Sequence, residues 1–134
     1  VPAELRVRAG FRRVLAAAFV GRHRGRLINI HPSLLPDFPG LDTHARALAA
    51  GVAAHGASVH FVTAAVDGGP VIAQIRVPVH AGDTPDVLAA RVLAAEHRLY
   101  PMVIGWCAQG RVALAGDAVR LDGLCLAAPV QFIA

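Results

Sequence analysis

The chain has 134 residues, of which 55% are hydrophobic and 16% charged, so it has room for one domain with one core and is too apolar to be disordered. No apolar run is long enough to span a bilayer, and the start VPAE does not resemble a signal peptide, so we expect a cytoplasmic protein with no membrane partner. The net charge is +4 and all 13 basic residues are Arg, but no aromatic residues interleave with the densest basic cluster, at residues 22–26, so we expect no nucleic-acid partner.

Two strands and a loop are expected in the first part of the chain. Residues 5–9 alternate apolar and charged side chains, which is typical of a strand with one solvated face, and residues 26–30 are predicted to form a second strand. Residues 31–40 contain three prolines, at positions 32, 36 and 39, and this excludes both a helix and an inner strand. We therefore expect a structured loop there.

A short helix and two strands are expected next. Residues 43–50 have the composition of a helix, with Thr43 as its N-cap and Gly51 as its stop signal. Residues 57–63 and 71–79 are rich in β-branched side chains and flank the turn DGGP at residues 67–70. They are predicted to be strands joined by a loop.

The longest predicted element is a helix that begins near Asp83, with Thr84 as its cap and Pro85 in its first turn. Its buried stripe is predicted from apolar residues at helical spacing, namely Leu88, Val92, Ala95, Leu99, Val103 and Trp106. Pro101 is expected to kink it. Residues 111–126 read as a small terminal hairpin, so strands together with a long helix predict an α/β fold.

The two cysteines, Cys107 and Cys125, are too few for a disulfide framework and lack the spacing of a zinc site. We expect both to be reduced, semi-buried thiols. No metal ion is expected in this protein.

A candidate reacting centre lies at the end of the second predicted strand. Asn29 and His31 are two residues apart, so their side chains project to one face of the sheet, while Ile28 and Ile30 point to the other. Ligands of open α/β sheets bind at such carboxyl ends of strands. An amide and a protonated imidazole can stabilise an oxygen anion that develops during acyl transfer. Asp67, in its glycine-rich turn, is the best candidate for a carboxylate that holds His31 charged and relays a proton.

An ordered set of motifs resembles the phosphoribosylglycinamide formyltransferase family. They are NIHPSLLP at residues 29–36, FPGL at 38–41, TH at 43–44, HGASVHFV at 55–62, DGGP at 67–70 and EHRLYP at 96–101. The resemblance implies a Rossmann-like formyltransferase fold with a mixed, mostly parallel sheet flanked by helices. It also implies that residues 1–134 form one catalytic domain, about the C-terminal two-thirds of the family's fold, truncated before the N-terminal part that binds phosphate.

The same resemblance implies an activity and a set of site residues. A formyl group passes from 10-formyltetrahydrofolate, the co-substrate, to the amine of glycinamide ribonucleotide in purine biosynthesis, with a homodimer kept as an option. Asn29, His31 and Asp67 are the catalytic residues by this resemblance, and Asn29 and Glu96 bind the nucleotide substrate. The pterin site is implied to comprise Arg13, Val14, Leu15, Thr63, Ala64, Ala65, Val66 and Asp67.

Several alternatives remain open from the sequence. Methionyl-tRNA formyltransferases share the HPSLLP motif but usually continue differently, and formyltetrahydrofolate deformylases vary around Pro32 and Ser33. Without a glycine-rich phosphate loop, the chain is also compatible with a non-catalytic remnant that binds folate or nothing. A nucleic-acid binder is a third hypothesis, because of the arginines. Arg6 and Arg8 depart from the family as well, since they place charges in a layer that helices usually cover.

Overall fold

The computed structural model describes residues 25–63 and 67–134, together with the backbone of residues 6–9. Its two described helices are α1 (Thr43–Ala50) and α2 (Pro85–Ala108). Its strands are β1 (Arg6–Ala9), β2 (Leu27–His31), β3 (Ala54–Phe61), β4 (Val71–Pro78), β5 (Val112–Ala115), β6 (Ala118–Leu121), β7 (Leu124–Cys125) and β8 (Val130–Ile133). The α/β class is confirmed, and the strands expected at 5–9, 26–30, 57–63 and 71–79 are present with shifted ends.

The larger sheet has five strands in the order β1-β2-β3-β4-β8. β1 pairs with β2 and β4 pairs with β8 in parallel, whereas β2 with β3 and β3 with β4 are antiparallel. The mixed sheet is therefore confirmed, but within the described strands the parallel pairings do not form the expected majority. β3 and β4 are antiparallel because the nine residues between them are too few for the crossover connection that a parallel pair requires.

The main core lies between this sheet and α2, which packs on β3 and β4. The predicted stripe of α2 is buried from Leu88 to Val103, but Trp106 is half-buried. The helix begins as predicted, because the side chain of Thr84 accepts the N–H of Val87 at 3.3 Å and Pro85 occupies the first turn. It continues through Pro101 to Ala108, so that proline does not end it.

β2 divides its side chains between the two faces of the sheet. Ile28 and Ile30 belong to the core beneath α2, as predicted. Leu27 instead forms a second small apolar cluster with Val62, and the alternation of a strand places Asn29 and His31 on the same face as Leu27. The candidate residues therefore lie on the side of the sheet away from α2.

The role predicted for Thr43 is wrong. Asp42 is the N-cap of α1, in a left-handed conformation with φ of 55°, and no side chain caps that end. Thr43 is buried instead, and its hydroxyl donates to the carbonyl of Pro32 at 2.6 Å, because it faces the proline-rich loop. The predicted end of the helix is confirmed, since Gly51 has a φ of 69° and donates its N–H to Leu48.

The C-terminal part contains more strand than the sequence indicated. The predicted hairpin is the three-stranded antiparallel sheet β5-β6-β7, and β8 was not predicted. Both cysteines are free, but only Cys107 is buried, since Cys125 lies on the short exposed strand β7. The arginines at positions 22 and 24, and the side chains of Arg6 and Arg8, lie outside the described residues. Neither described helix is long and apolar enough to cross a membrane.

Candidate active site

Four polar side chains share one face where β2 and β3 run side by side. Asn29 is directly opposite His60, and His31 is directly opposite Ser58. Residues opposite each other in an antiparallel pair project to the same face. All four side chains are buried. Sequence reasoning missed Ser58 and His60, although their alternation with apolar Ala57, Val59 and Phe61 was a period-two signal for a polar face.

The structure brings His31 and Asp67 together. Nδ1 of His31 lies 3.4 Å from Oδ2 of Asp67, and Nε2 of His31 lies 2.8 Å from the carbonyl oxygen of Phe38. The carbonyl can only accept, so Nε2 carries a proton, and the contact with Asp67 is attractive when Nδ1 is protonated as well. The same carboxylate oxygen accepts the backbone N–H of Gly40 at 2.8 Å. Asp67 thus joins the imidazole to the proline-rich loop.

His60 approaches the other oxygen of the same carboxylate. Its Nε2 lies 3.8 Å from Oδ1 of Asp67, and its Nδ1 lies 2.9 Å from the carbonyl oxygen of Phe61. Because that carbonyl also can only accept, Nδ1 carries the proton when His60 is neutral. The Asp67 carboxylate therefore lies between two imidazoles, and an anion is well placed there whenever either ring gains a second proton.

Asn29 holds an unsatisfied polar atom at this site. Its Oδ1 is buried and has no hydrogen-bond partner among the described residues. A buried polar atom without a partner costs roughly 1 to 3 kcal/mol, so such atoms are rare away from functional positions. Oδ1 is therefore available to accept a hydrogen bond from a donor that a ligand supplies.

The backbone around Asp67 is tightly constrained. Asp67 itself has a left-handed φ of 50°, and Gly69 is buried against the end of β3. A Cβ atom at position 69 would lie 1.7 Å from the carbonyl oxygen of Phe61. Only glycine fits this approach, which explains the second glycine of the DGGP turn. The N–H of Phe61 also donates to the carbonyl of Pro70, so the C-terminal end of the turn is fixed to the end of β3.

Charged and aromatic side chains hold the proline-rich loop from outside. The Nη1 atom of Arg46 donates to the carbonyls of Pro39 at 2.6 Å and Leu41 at 2.8 Å, and its guanidinium lies over the ring of Phe38. Beneath Phe38, His55 is buried with its Nε2 3.2 Å from Nδ1 of His44. Burial, with smaller contributions from His44 and His31, lowers the pKa of His55 to about 4. His55 is therefore neutral at ordinary pH.

Of the remaining predicted site residues, the structure describes only Thr63 and Glu96. Thr63 follows β3 and is half-buried, whereas Arg13, Val14, Leu15, Ala64, Ala65 and Val66 lie outside the described residues. Glu96 is half-buried on α2, which packs on the sheet face opposite to Asn29. Across residues 25–63 and 67–134, no group of at least three His, Cys, Asp or Glu side chains is arranged to hold a metal ion.

A cleft of about 410 Å³ lies beside the Asp67 turn. Leu35, Pro36 and Gln74 line one part of it, and the segments 117–119 and 126–129 line another. The volume is within the usual range for small-ligand pockets.

This geometry defines a class of protein, an α/β protein with an amide, an imidazole and a carboxylate gathered at the carboxyl end of one strand, suited to acyl transfer with proton movement. The family model of the formyl transferases matches residues 1–104. The chain belongs to the formyl transferase family.

Individual relatives agree with this assignment. The chain is 57% identical over 117 residues to the phosphoribosylglycinamide formyltransferase of Escherichia coli K12, covering 87% of this chain and 55% of the relative. It is similar in structure to the phosphoribosylglycinamide formyltransferase of Coxiella burnetii, with a TM-score of 0.92 and 52% identity over 96% of this chain and 61% of that one. The chain therefore spans between half and two thirds of the length of these relatives.

A formyltetrahydrofolate deformylase from Pseudomonas syringae has the same fold at lower identity. The TM-score is 0.83 and the identity 27%, over 89% of this chain and 40% of the other. The Rossmann-like formyltransferase fold that the sequence implied is confirmed by these neighbours.

Proposed function

We propose that residues 1–134 form a catalytic domain of a phosphoribosylglycinamide formyltransferase, which transfers a formyl group from 10-formyltetrahydrofolate to the amine of glycinamide ribonucleotide in purine biosynthesis. The observation that carries this proposal is the contact of 3.4 Å between His31 and Asp67 on the sheet face that Asn29 shares. The names of the relatives at 57% and 52% identity support the choice of substrate.

The reaction makes one C–N bond and breaks another. The amine of the ribonucleotide attacks the formyl carbon, and negative charge develops on the formyl oxygen. Donors from Asn29 and from protonated His31 stabilise that charge, and each such donor is typically worth about 3 kcal/mol. The C–N bond to the folate then breaks, and the proton lost by the attacking amine is delivered to the leaving nitrogen, with Asp67 as the group that moves it.

The geometry adds a requirement to this mechanism. Both ring nitrogens of His31 already have partners, since Nε2 meets the carbonyl of Phe38 and Nδ1 meets Asp67. For His31 to donate to the formyl oxygen, one of these two contacts must be exchanged for a contact with the substrate. The contact with Phe38 is the one to exchange, because the contact with Asp67 pairs a protonated imidazole with a carboxylate.

The binding sites for the two substrates follow from the family resemblance. The pterin is held by Arg13 to Leu15 and by the segment from Thr63 to Asp67, and the ribose by Glu96. The small buried cluster of Leu27 and Val62 is consistent with this placement, because it adjoins Thr63 in the chain and lies on the same sheet face as Asn29. Folate is a co-substrate here, and the reaction as proposed needs no metal ion.

The test is formyl transfer by the protein that carries this chain, with each substrate supplied separately and together. We expect transfer to depend on both substrates and to fall by roughly 10² to 10⁴-fold in His31→Ala, because proton transfer and oxyanion stabilisation are both weakened. His97→Ala is the matched control, since His97 is exposed on α2, and it should keep full activity.

Other results would support the alternatives. Release of formate from the donor without ribonucleotide would indicate a deformylase, and transfer only to methionyl-tRNA would indicate that class instead. Binding of a folate analogue without any turnover would indicate a remnant. Undiminished transfer by His31→Ala would contradict the proposed site itself. A cytoplasmic location, a homodimer and the absence of nucleic-acid partners stay predictions.

A further inference from the structure

A buried polar network lies directly behind the reacting centre. The hydroxyl of Ser58 accepts the N–H of Leu35 and the Nε2 of Gln74, each at 3.0 Å, and donates to the carbonyl of Ser33 at 2.7 Å. One hydroxyl can donate once and accept twice, so Ser58 is fully satisfied. Ser58 thereby fixes the loop that follows His31 at two points, Ser33 and Leu35.

The amide of Gln74 has only one orientation that satisfies its neighbours. Its Nε2 donates to the carbonyl of Leu35 at 2.7 Å, and a carbonyl can only accept. Its Oε1 therefore faces β8, where it accepts the Nε2 of Gln131 at 2.8 Å. The orientation of Gln131 agrees, because the same Nε2 lies 3.3 Å from the carbonyl of Pro129. The hydrogen bonds thus run in one direction from β8 to the loop.

The loop held in this way supplies backbone groups to the two candidate catalytic side chains. Ser33 donates its hydroxyl to the carbonyl of Asp37 at 2.6 Å, which closes the loop on itself. The next residue, Phe38, accepts from His31, and Gly40 donates to Asp67. The position of the loop therefore sets the position of both side chains.

We propose that Ser58, Gln74 and Gln131 are positioning residues, which fix the loop after β2 so that its backbone orients His31 and Asp67. The kinetic consequence rests on the proposed function, but the structural consequence does not. Polar side chains at the buried positions 58 and 74 are costly unless each is satisfied, and here each has its partners. The far end of the chain is the exposed residue Gln131, so it can be altered with little effect on the core.

The decisive variant is Gln131→Glu, which places a carboxylate opposite Oε1 of Gln74. Two acceptors then face each other, and Gln74 relieves the repulsion by turning its amide. The turned amide presents oxygen to the carbonyl of Leu35 and withdraws the donor from Ser58. Gln131→Met removes the donor at similar size without reversing the polarity. Gln109→Glu is the matched control, because Gln109 is exposed at the end of α2 and undergoes the same chemical change.

The kinetic test measures kcat, KM and the thermal midpoint for all three variants. Small misplacements of catalytic groups lower turnover strongly, so we expect kcat to fall about tenfold in Gln131→Glu, less in Gln131→Met and not at all in Gln109→Glu. KM should change by less than about twofold and the thermal midpoint little, which a general loss of folding would not produce.

A second readout does not depend on formyl transfer. The imidazole resonances of His31 in NMR spectra should shift in Gln131→Glu and remain unchanged in Gln109→Glu. If the unaltered protein transfers no formyl group but these resonances shift, the proposed function fails and the positioning inference stands. Unchanged resonances together with unchanged kcat in Gln131→Glu would overturn the inference.

Discussion

The Oδ2 atom of Asp67 lies 3.4 Å from Nδ1 of His31, although the two residues belong to different parts of the chain. The same oxygen receives the N–H of Gly40, so the carboxylate is held by the loop as well as by the imidazole. A carboxylate fixed from two sides loses little freedom when it acts, which is the kind of preorganisation that catalysis needs.

Asp67→Asn is predicted to abolish most of the activity while the fold is kept. The amide has nearly the same size, and its oxygen can still accept the N–H of Gly40. It has no negative charge to attract His31, however, and it cannot take up and release a proton. We expect formyl transfer to fall by roughly 10² to 10⁴-fold. Steady-state kinetics should be compared with Asp37→Asn, which changes an exposed aspartate of the proline-rich loop. If formyl transfer falls by less than about fivefold in Asp67→Asn, the contact between Asp67 and His31 is not required for activity as proposed.

His55 should make the protein less stable in mild acid. Its pKa is lowered from the ordinary value of 6.5 to about 4, mainly by burial. Between these two pH values the imidazole of His55 is protonated in the unfolded chain but not in the folded chain. Stability is therefore lost as the pH falls from 6.5 through 4. A full loss would amount to about 3 kcal/mol, as an upper bound.

The measurement is the free energy of unfolding in urea at pH 7 and at pH 4.5. Replacing His55 with Gln should make the difference between these two values smaller, whatever it does to stability at pH 7. His97→Gln, at an exposed position, should leave the difference as it is. An equal pH dependence in the His55 and His97 variants would show that His55 is not the acid-sensitive group.

Thr43 allows a test between capping and anchoring of α1. As an N-cap, Thr43 would be replaced well by Asp, which is among the preferred capping residues. The structure predicts the opposite, because the buried hydroxyl donates to Pro32 and a carboxylate cannot. Thr43→Asp and Thr43→Val should each lower the free energy of unfolding by about 1 to 3 kcal/mol, and Thr43→Ser by less. A stable Thr43→Asp protein would restore the capping role.

The ion pair of Asp83 and Arg91 ties the start of α2 to the end of β4. Two hydrogen bonds from Arg91, at 2.6 and 3.0 Å, and one from the N–H of His80 lower the pKa of Asp83 from 3.8 to about 2. Arg91 also donates to the carbonyl of Pro78. The stability that this pair contributes is present above pH 3.8 and is lost as the pH falls through 2.

Arg91→Met should return the pKa of Asp83 most of the way to its ordinary value. The carboxyl carbon resonance of Asp83, followed by NMR between pH 1.5 and 6, measures this directly. Arg98→Met is the control, because Arg98 is exposed on the same helix. If the Asp83 resonance titrates at the same pH in both variants, Arg91 is not the group that holds the carboxylate charged.

Local patterns were sufficient to predict most of the elements. The α2 stripe, its Thr84 cap and the division of Ile28 from Asn29 follow from spacing that a helix or a strand imposes on its own residues. Three features depended on contacts between distant parts of the chain and were missed or wrong. Thr43 donates to Pro32, β8 pairs with β4, and β3 pairs antiparallel with both β2 and β4 where the resemblance implied a mostly parallel sheet.

The candidate site, like the fold, could be predicted only in part from the sequence. Asn29 and His31 share a face by periodicity alone, but their approach to Asp67 depends on the long return through β3. His60 and Ser58 come to the site only through pairing of β2 with β3. Gln74 and Gln131 carry no motif, and their importance appears only when the direction of each hydrogen bond is followed.

The close approach of Gly69 to the carbonyl of Phe61 limits how this protein can be redesigned. A library that varies the Asp67 turn and selects for growth on formyl transfer should return glycine at position 69 from every survivor, whichever donor or acceptor is demanded. New specificity must therefore come from the side chains around the turn, because the backbone of the turn itself cannot change.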